Sequence, residues 1–382
     1  MPQLRFDPVQ MPTHEAVLRR EVRDFLAREL TEGSFHPKRN SWISPDPAFS
    51  RRCAAQGYIG MTWPKRYGGH ERTSLERYIV IEELLAGGAP VGSHWIADRQ
   101  SGPQILRHAN EAARQAILPR IAAGECFFSI GMSEPDSGSD LAAVKTRAVQ
   151  VAGGWEISGS KIWTSGAHQN HYLIRLARNS TDEAQRHGGL TQFIVDLKQP
   201  GLTIRPIRNL LGEQGFNQLF FDQVFVPDAM VLGEVGQGWQ MVTAELAFER
   251  SGPDRFLSDY QLLLEAMRAI GPEPDRRAAN EIGRFVAHLA VLRRMSGSIA
   301  GMLERGEQPV VEAALVKDLG TTLEREIPET VRVLIDAEPT LGAGESYAEL
   351  LALGVGHAPS FTLRGGTREV LRGMIARGLG LR

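Results

Sequence analysis

Cysteine is nearly missing from this sequence: Cys53 and Cys126 are the only two in 382 residues. Two thiols supply neither a disulfide framework nor a metal ligand set, and the expected setting is a reducing cytoplasm. No apolar run approaches the roughly 18 residues that a bilayer span needs. The opening MPQLRFDPVQ lacks a charged-then-apolar leader pattern. Charge of one sign is also absent in excess: 43 Lys and Arg against 45 Asp and Glu leave a net charge of −2, so no broad basic field invites nucleic acid. There is no internal repeat and no low-complexity tract. Nucleotide-loop signatures are missing too. Gly342-Ala343-Gly344 and Gly354-Val355-Gly356 lack the third glycine of G-x-G-x-x-G, and no G-x-x-x-x-G-K-[ST] occurs, which argues against a Rossmann or P-loop reading.

What is present suits a large globular chain. Apolar content of 42% and charged content of 23% are ordinary, and the length allows two or three domains. The first third has helical periodicity. Leu18, Val22, Phe25, Leu26 and Leu30 share one face, residues 75–86 form a helix ended by Gly87-Gly88-Ala89-Pro90, and residues 110–122 form another with Asn110 as N-cap. Near residue 124 the pattern changes, and from Thr146 the period drops to two. Residues 148–151 and 155–157 flank Ala152-Gly153-Gly154, a hairpin signal. Strand-like runs follow at 172–177, 191–197, 202–207 and 219–226, which suggests a compact antiparallel barrel or sandwich. After Gly236-Gln237-Gly238 the helical period returns and brings Met241, Glu245, Phe248 and Glu249 near one another. Long helices are expected over 276–302 and 308–335. The second has Val311, Leu315, Leu319, Leu323 and Ile327 in register, and Pro328 should kink or break it. Residues 338–358 read as loop, and a last helix starts near Thr367. The expected division is therefore 1–123 helical, 124–232 β and 233–382 helical.

Two short stretches carry the chemistry. Residues 128–140, FSIGMSEPDSGSD, run from a strand into a turn in which Pro135 fixes φ and Gly138 allows close backbone approach. Ser133, Ser137 and Ser139 offer hydroxyls to a polar ligand, although such a turn alone can be plain surface loop. The second stretch, residues 161–166, reads KIWTSG. Trp163 offers a flat face and Ser165 a hydroxyl and an amide; a strand Trp alone is more often core. His168 and His171 have a metal-like spacing but no Cys or carboxylate cluster beside them.

Together these stretches resemble the paired flavin-binding segments of the acyl-CoA dehydrogenase family, and the helix–β–helix order extends the resemblance over almost the whole chain. Residues 60–69, GMTWPKRYGG, resemble the family's Trp-Pro…Gly-Gly loop. The resemblance implies an α+β multi-domain fold: an N-terminal helical domain, a central antiparallel β-barrel or sandwich, and a C-terminal helical bundle. It implies FAD as cofactor. Ile130, Met132 and Ser133 would meet the pyrimidine edge of the ring, with Ser133 where the family usually has Thr. Ser139 would serve the pyrophosphate region or the CoA thioester chain. Trp163, Thr164 and Ser165 would lie near flavin N5, and Thr367, Arg368 and Glu369 would form the adenosine-side segment at a helix N-terminus. Neutral donors are wanted near N1–O2, which gains negative charge on reduction.

The family removes an α-proton with a carboxylate, which must be desolvated and close because the proton is a very weak acid. One family position for this base corresponds here to Gly365 in Arg364-Gly365-Gly366-Thr367, which has no carboxyl. The other lies on the first helix after the β-domain, where the sequence reads Ala247-Phe248-Glu249-Arg250. Glu249 is thus the expected base, although a Glu-Arg pair on a helix can be a solvated ion pair; Glu245 is the lesser candidate. Arg250 would bind CoA or orient Glu249. Phe248 and Gly366 fall on the substrate side, and the Gly365 N–H would bind the thioester oxygen, leaving space for branched or bulky acyl chains. The family's Arg-x-x-Phe-Gly and Gln-x-x-Gly-Gly segments are missing. These losses resemble a divergent bacterial branch, some of whose members act on sterol side-chain thioesters or pair with a different subunit. The implied partners are an acyl-CoA substrate, an electron-transfer flavoprotein and further subunits in a homo- or hetero-oligomer. Two other readings stay open: a flavin oxidase or monooxygenase on the same fold, and a non-catalytic partner subunit.

Overall fold

The computed structural model describes residues 4–37, 40–180, 186–344 and 347–381, and for 245–249 the backbone alone. In chain order the main elements are α1 (Glu15–Thr31), α2 (Pro47–Ala55), α3 (Ser74–Ala86), α4 (Gly92–Ile96), α5 (Gly102–His108), α6 (Glu111–Ala122), β1 (Phe128–Gly131), β2 (Arg147–Val151), β3 (Gly154–Ser165), β4 (Tyr172–Arg178), β5 (Leu190–Asp196), β6 (Leu202–Ile207), β7 (Phe216–Pro227), β8 (Val231–Leu232), α7 (Gly238–Arg250), α8 (Tyr260–Ile270), α9 (Arg276–Glu304), α10 (Val310–Val331), α11 (Tyr347–Phe361) and α12 (Arg368–Gly378). They pack as two compact units. One holds residues 45–72 and 92–245; the other holds 1–44, 73–91 and 246–382. No helix among the described residues is long and apolar enough to cross a membrane.

The first unit is built on one sheet with strand order β6-β7-β3-β2-β4-β5-β8, and β1 pairs with β4. Most pairings are antiparallel, as the short alternating runs led one to expect. The exceptions are β1 on β4 and the single Arg147–Arg178 step of β2 on β4, which are parallel. The sheet is therefore mixed rather than purely antiparallel, because β1 reaches it from a helix instead of a hairpin. Gly153 takes φ +77 in the turn of the expected β2–β3 hairpin. Trp155, Ile157, Leu173, Phe193, Leu219 and Phe221 fill the core on one face. Between Lys161 and Thr164 the register of β3 on β7 shifts: Lys161 faces Leu219 and Thr164 faces Asn217, so β3 carries one extra residue there. That is a β-bulge, which locally redirects side chains.

In the second unit α1 buries Leu18, Val22, Phe25 and Leu26 as expected, but Leu30 is 41% exposed and Glu29 takes its place inside. The expected face of α10 fails in the same way. Leu323 and Ile327 are buried, yet Leu319 is 45% exposed, while Lys317, Gly320 and Glu324 are inside. Steps of four residues gain about 40° each on a helix of 3.6 residues per turn, so five residues spaced by four walk off any single face. Pro328 does not end the helix, which continues about one turn further and stops at Val331.

The expected loop at 338–358 is corrected more sharply, because Tyr347–Phe361 is helical despite Gly354, Gly356 and Pro359. Buried Leu351, Ala352, Ala358 and Phe361 supply an apolar face that outweighs weak propensity. Gly354 is where α11 comes closest to its neighbours: a Cβ there would lie 2.9 Å from Leu262 and 3.2 Å from Pro328. Gly354→Val should cost about 1–3 kcal/mol through overpacking, although valine suits a helix better than glycine, and urea unfolding of the full chain measures the loss.

Candidate functional site

In the sheet-based unit, the strand-to-turn stretch at 128–140 is tied down from beneath. The Lys161 ammonium is fully buried and donates to Met132 O at 2.8 Å and to Glu134 Oε1 at 2.9 Å. The Ile162 N–H donates to Ser133 O at 2.9 Å. In a trans peptide the N–H points opposite to the C=O, so gripping the Met132 carbonyl turns the Ser133 N–H outward. Glu134 looks like an ordinary loop carboxylate in the sequence. In the structure it is a buried strut, accepting also from Thr146 N at 2.9 Å and Lys145 N at 2.6 Å. Burial alone would raise its carboxyl; Lys161 and these donors hold it below the usual range. Ile130, Met132 and Ser133 are partly exposed and Ser139 is exposed.

The bulge in β3 places Trp163 at φ +59, a left-handed conformation that L-residues rarely take, and leaves the indole 57% exposed. Its ring stands edge-on to Phe216 at 6.0 Å. Beside it the Thr164 hydroxyl is buried without a hydrogen-bond partner among the described residues, and Asn217 Nδ2 donates to Thr164 O at 3.0 Å. Ser129 Oγ donates to Ser165 O at 2.8 Å, tying β1 to the end of β3. A flat aromatic face, an outward amide and an orphaned hydroxyl within one patch fit a planar ring with polar edges, which is what FAD would present. The histidines are used locally. His168 bonds to Asn217 at 3.1 Å, and His171 Nδ1 accepts from Phe127 N at 3.1 Å.

Sequence reasoning missed the cations under this patch. Arg175 on β4 has no solvent exposure, and no guanidinium nitrogen finds a hydrogen bond among the described residues; it stacks over Phe221 at 4.3 Å. Burial lowers it to about 9. Burial, then the charge of Arg175, brings Lys161 down to about 7. A single charge inside the otherwise apolar run YLIRLA was the available signal.

In the helical unit the Gly365–Gly366 turn is held in the same manner. Both glycines have positive φ, +64 and +97. Arg250 Nε donates to Gly365 O at 3.3 Å and Lys317 Nζ to Gly366 O at 2.8 Å. Arg250, expected on the substrate side, is 3% exposed, and its guanidinium reaches the turn and the Met374 sulfur at 3.1 Å. The side chains of Glu245, Phe248 and Glu249 lie outside the described residues. Thr367 caps α12, accepting from Val370 N at 3.4 Å. Arg368 pairs with Asp318 at 3.4 Å, and Glu369 is exposed at the first turn of α12. Behind the turn, Arg364 meets Glu324 at 3.3 Å and Ser258 Oγ at 3.1 Å and stacks on Trp42 at 4.4 Å.

Burial raises Glu324 to about 7, against the pull of Arg364 and a bond from Ser258 N at 2.8 Å. The folded chain then keeps this proton up to about pH 7, while the unfolded chain loses it near 4.5. In between, the folded state binds more protons, so this group makes stability fall as pH rises across that window and adds no further change above it. Glu324→Gln should remove about 2–3 kcal/mol of that pH dependence. Unfolding free energies at pH 5 and pH 8 in both proteins measure it.

Comparison with known proteins agrees with this geometry. The acyl-CoA dehydrogenase N-terminal domain model matches residues 12–125 and the middle domain model matches 129–224. The acyl-CoA dehydrogenase IpdE1 of Mycolicibacterium smegmatis is 30% identical over 387 residues, covering 95% of this chain and 97% of that protein. FadE34 of Mycobacterium tuberculosis is 31% identical over 319 residues, covering 83% of this chain, which spans only 44% of that protein's length. A solved structure described as the Tcur3481-Tcur3483 steroid ACAD superposes with a TM-score of 0.84 at 26% identity, covering 97% of this chain and 98% of that one. The chain belongs to the acyl-CoA dehydrogenase family of flavoprotein oxidoreductases, with FAD as cofactor.

Proposed function

We propose that this chain dehydrogenates an acyl-CoA thioester across its α,β bond to the trans-2-enoyl thioester, with Glu249 as the base. The observation that carries the reading is the bond from Arg250 to Gly365 O. It joins the residue next to the expected base to the turn whose N–H groups would meet the thioester oxygen. Of the two positions that the family resemblance implies for the base, one is Gly365 here and carries no carboxyl, and the other falls on Glu249 at the C-terminal end of α7. FAD supplies the hydride acceptor. Glu249 would take the α-proton, and the Gly365 N–H would stabilise the charge that develops on the thioester oxygen, a contribution of roughly 3 kcal/mol for one such donor. Ser133 and Trp163 would hold the ring. An electron-transfer flavoprotein is the proposed acceptor.

Two adjacent glycines leave that turn without side chains, which favours branched or bulky acyl groups. The steroid named for the solved relative supports the same substrate class. That relative is described by two components, and a hetero-oligomer is the corresponding proposal for this chain.

Anaerobic addition of a suitable acyl-CoA should bleach the oxidised flavin absorbance of the purified protein. Glu249→Gln should slow bleaching about 10²–10⁴-fold with FAD content unchanged; an undiminished rate would remove Glu249 from the role. Turnover should be faster with 2-methyl-branched or polycyclic acyl-CoAs than with straight medium chains, and the opposite order in steady-state kcat/KM would overturn the substrate class.

A further inference from the structure

Lys317 is a costly residue to place where it stands. It lies in the buried face of α10, with no solvent exposure, among Ala313, Ala314, Gly320 and Thr321. An ammonium there loses its hydration, and Leu or Met would pack the same space without that loss. What the ammonium does that a methyl cannot is grip the Gly366 carbonyl at 2.8 Å.

That grip matters because of where it falls. Two successive glycines with positive φ form one of the most mobile stretches a chain can have. A donor that stabilises developing charge must instead be fixed in advance, since reorienting it during the reaction forfeits much of its value. Lys317 holds the second carbonyl of the turn and Arg250 the first. Because C=O and N–H oppose each other across a trans peptide, the Gly366 and Thr367 N–H groups face away from the two cations. No backbone carbonyl among the described residues accepts from the N–H of Gly365, Gly366 or Thr367.

We propose that Lys317 is a positioning residue for the reaction: by holding the Gly366 carbonyl it locks the Gly365–Gly366 turn, and with it the Gly365 N–H that would meet the thioester oxygen. This rests on the dehydrogenase reading above. Lys317 touches neither substrate nor cofactor in this role; it acts through the Gly366 peptide.

The test uses the full chain loaded with FAD. Lys317→Met should lower kcat about 10–100-fold while KM and FAD content stay within about threefold, and Lys317→Arg should restore much of the loss. A second readout avoids turnover. An acyl-CoA analogue with sulfur at the β-position can lose its α-proton but has no hydride to give. Its ionisation, followed as long-wavelength charge-transfer absorbance, should need a pH about one unit higher for each tenfold loss in kcat. If Lys317→Met loses FAD, or if its kcat falls only in proportion to folded protein, Lys317 is a fold staple and the proposal fails. It fails equally if kcat and the ionisation are unmoved, and if the Met variant does not fold while the Arg variant folds without recovering either. Should wild-type protein not be bleached by any acyl-CoA, the functional reading falls first; bleaching in wild type with an unaffected Met variant removes only the role of Lys317.

Discussion

A buried cation gripping a backbone carbonyl is the constraint that recurs in each of the two units. Lys161 does this to Met132 in the sheet-based unit, and Lys317 and Arg250 do it to the glycine turn in the helical unit. The energetic case is the same each time. A charge taken out of water costs several kcal/mol unless hydrogen bonds replace its solvation, and a carbonyl left alone in the interior costs as well. Paired, the two losses offset one another. A hydrophobic substitute would spare the ion's cost but leave the carbonyl unmatched, and the peptide could then turn over. The cations thus act less as glue than as settings for which atoms the backbone presents. Arg175 is the contrasting case: a charge with an aromatic ring for company and, among the described residues, no carbonyl in its grip.

The two units reach ligand-ready backbone by different routes. In the sheet, one inserted residue between Lys161 and Thr164 breaks the ladder and turns Trp163 outward. A regular strand would have alternated strictly and offered no such face. In the helical unit no irregularity of a helix is used. The device is a connection, residues 364–367, caught between a capped helix start and buried side chains from α7 and α10. In each unit the irregular backbone lies where regular structure stops, while the regular elements supply the fixed points that hold it.

Much of this was legible in the sequence, and the failures have common causes. Helix–β–helix order, the β2–β3 hairpin, the Asn110 cap and the start of the last helix near Thr367 all come from local rules, which neighbouring residues decide. Leu30, Leu319 and the helix over Tyr347–Phe361 were misread because burial is set by partners distant in sequence. The same blindness hid Lys161, Arg175, Lys317 and Glu324. A charged residue in an apolar pattern reads as a position turned to solvent, and only the fold shows that it is turned inward. Arg250 was legible as important through its place beside Glu249, but its target was not, since Gly365 lies more than a hundred positions further along the chain.

The left-handed backbone at Trp163 sets stability against use. Glycine or asparagine would sit in that conformation with less strain, and an indole more than half exposed, with Phe216 beside it, gains little from burial. A search for heat-tolerant variants by laboratory evolution under selection for stability alone would therefore be drawn to position 163 early. It would recover a firmer protein that had lost the aromatic face the proposed function assigns to the flavin ring.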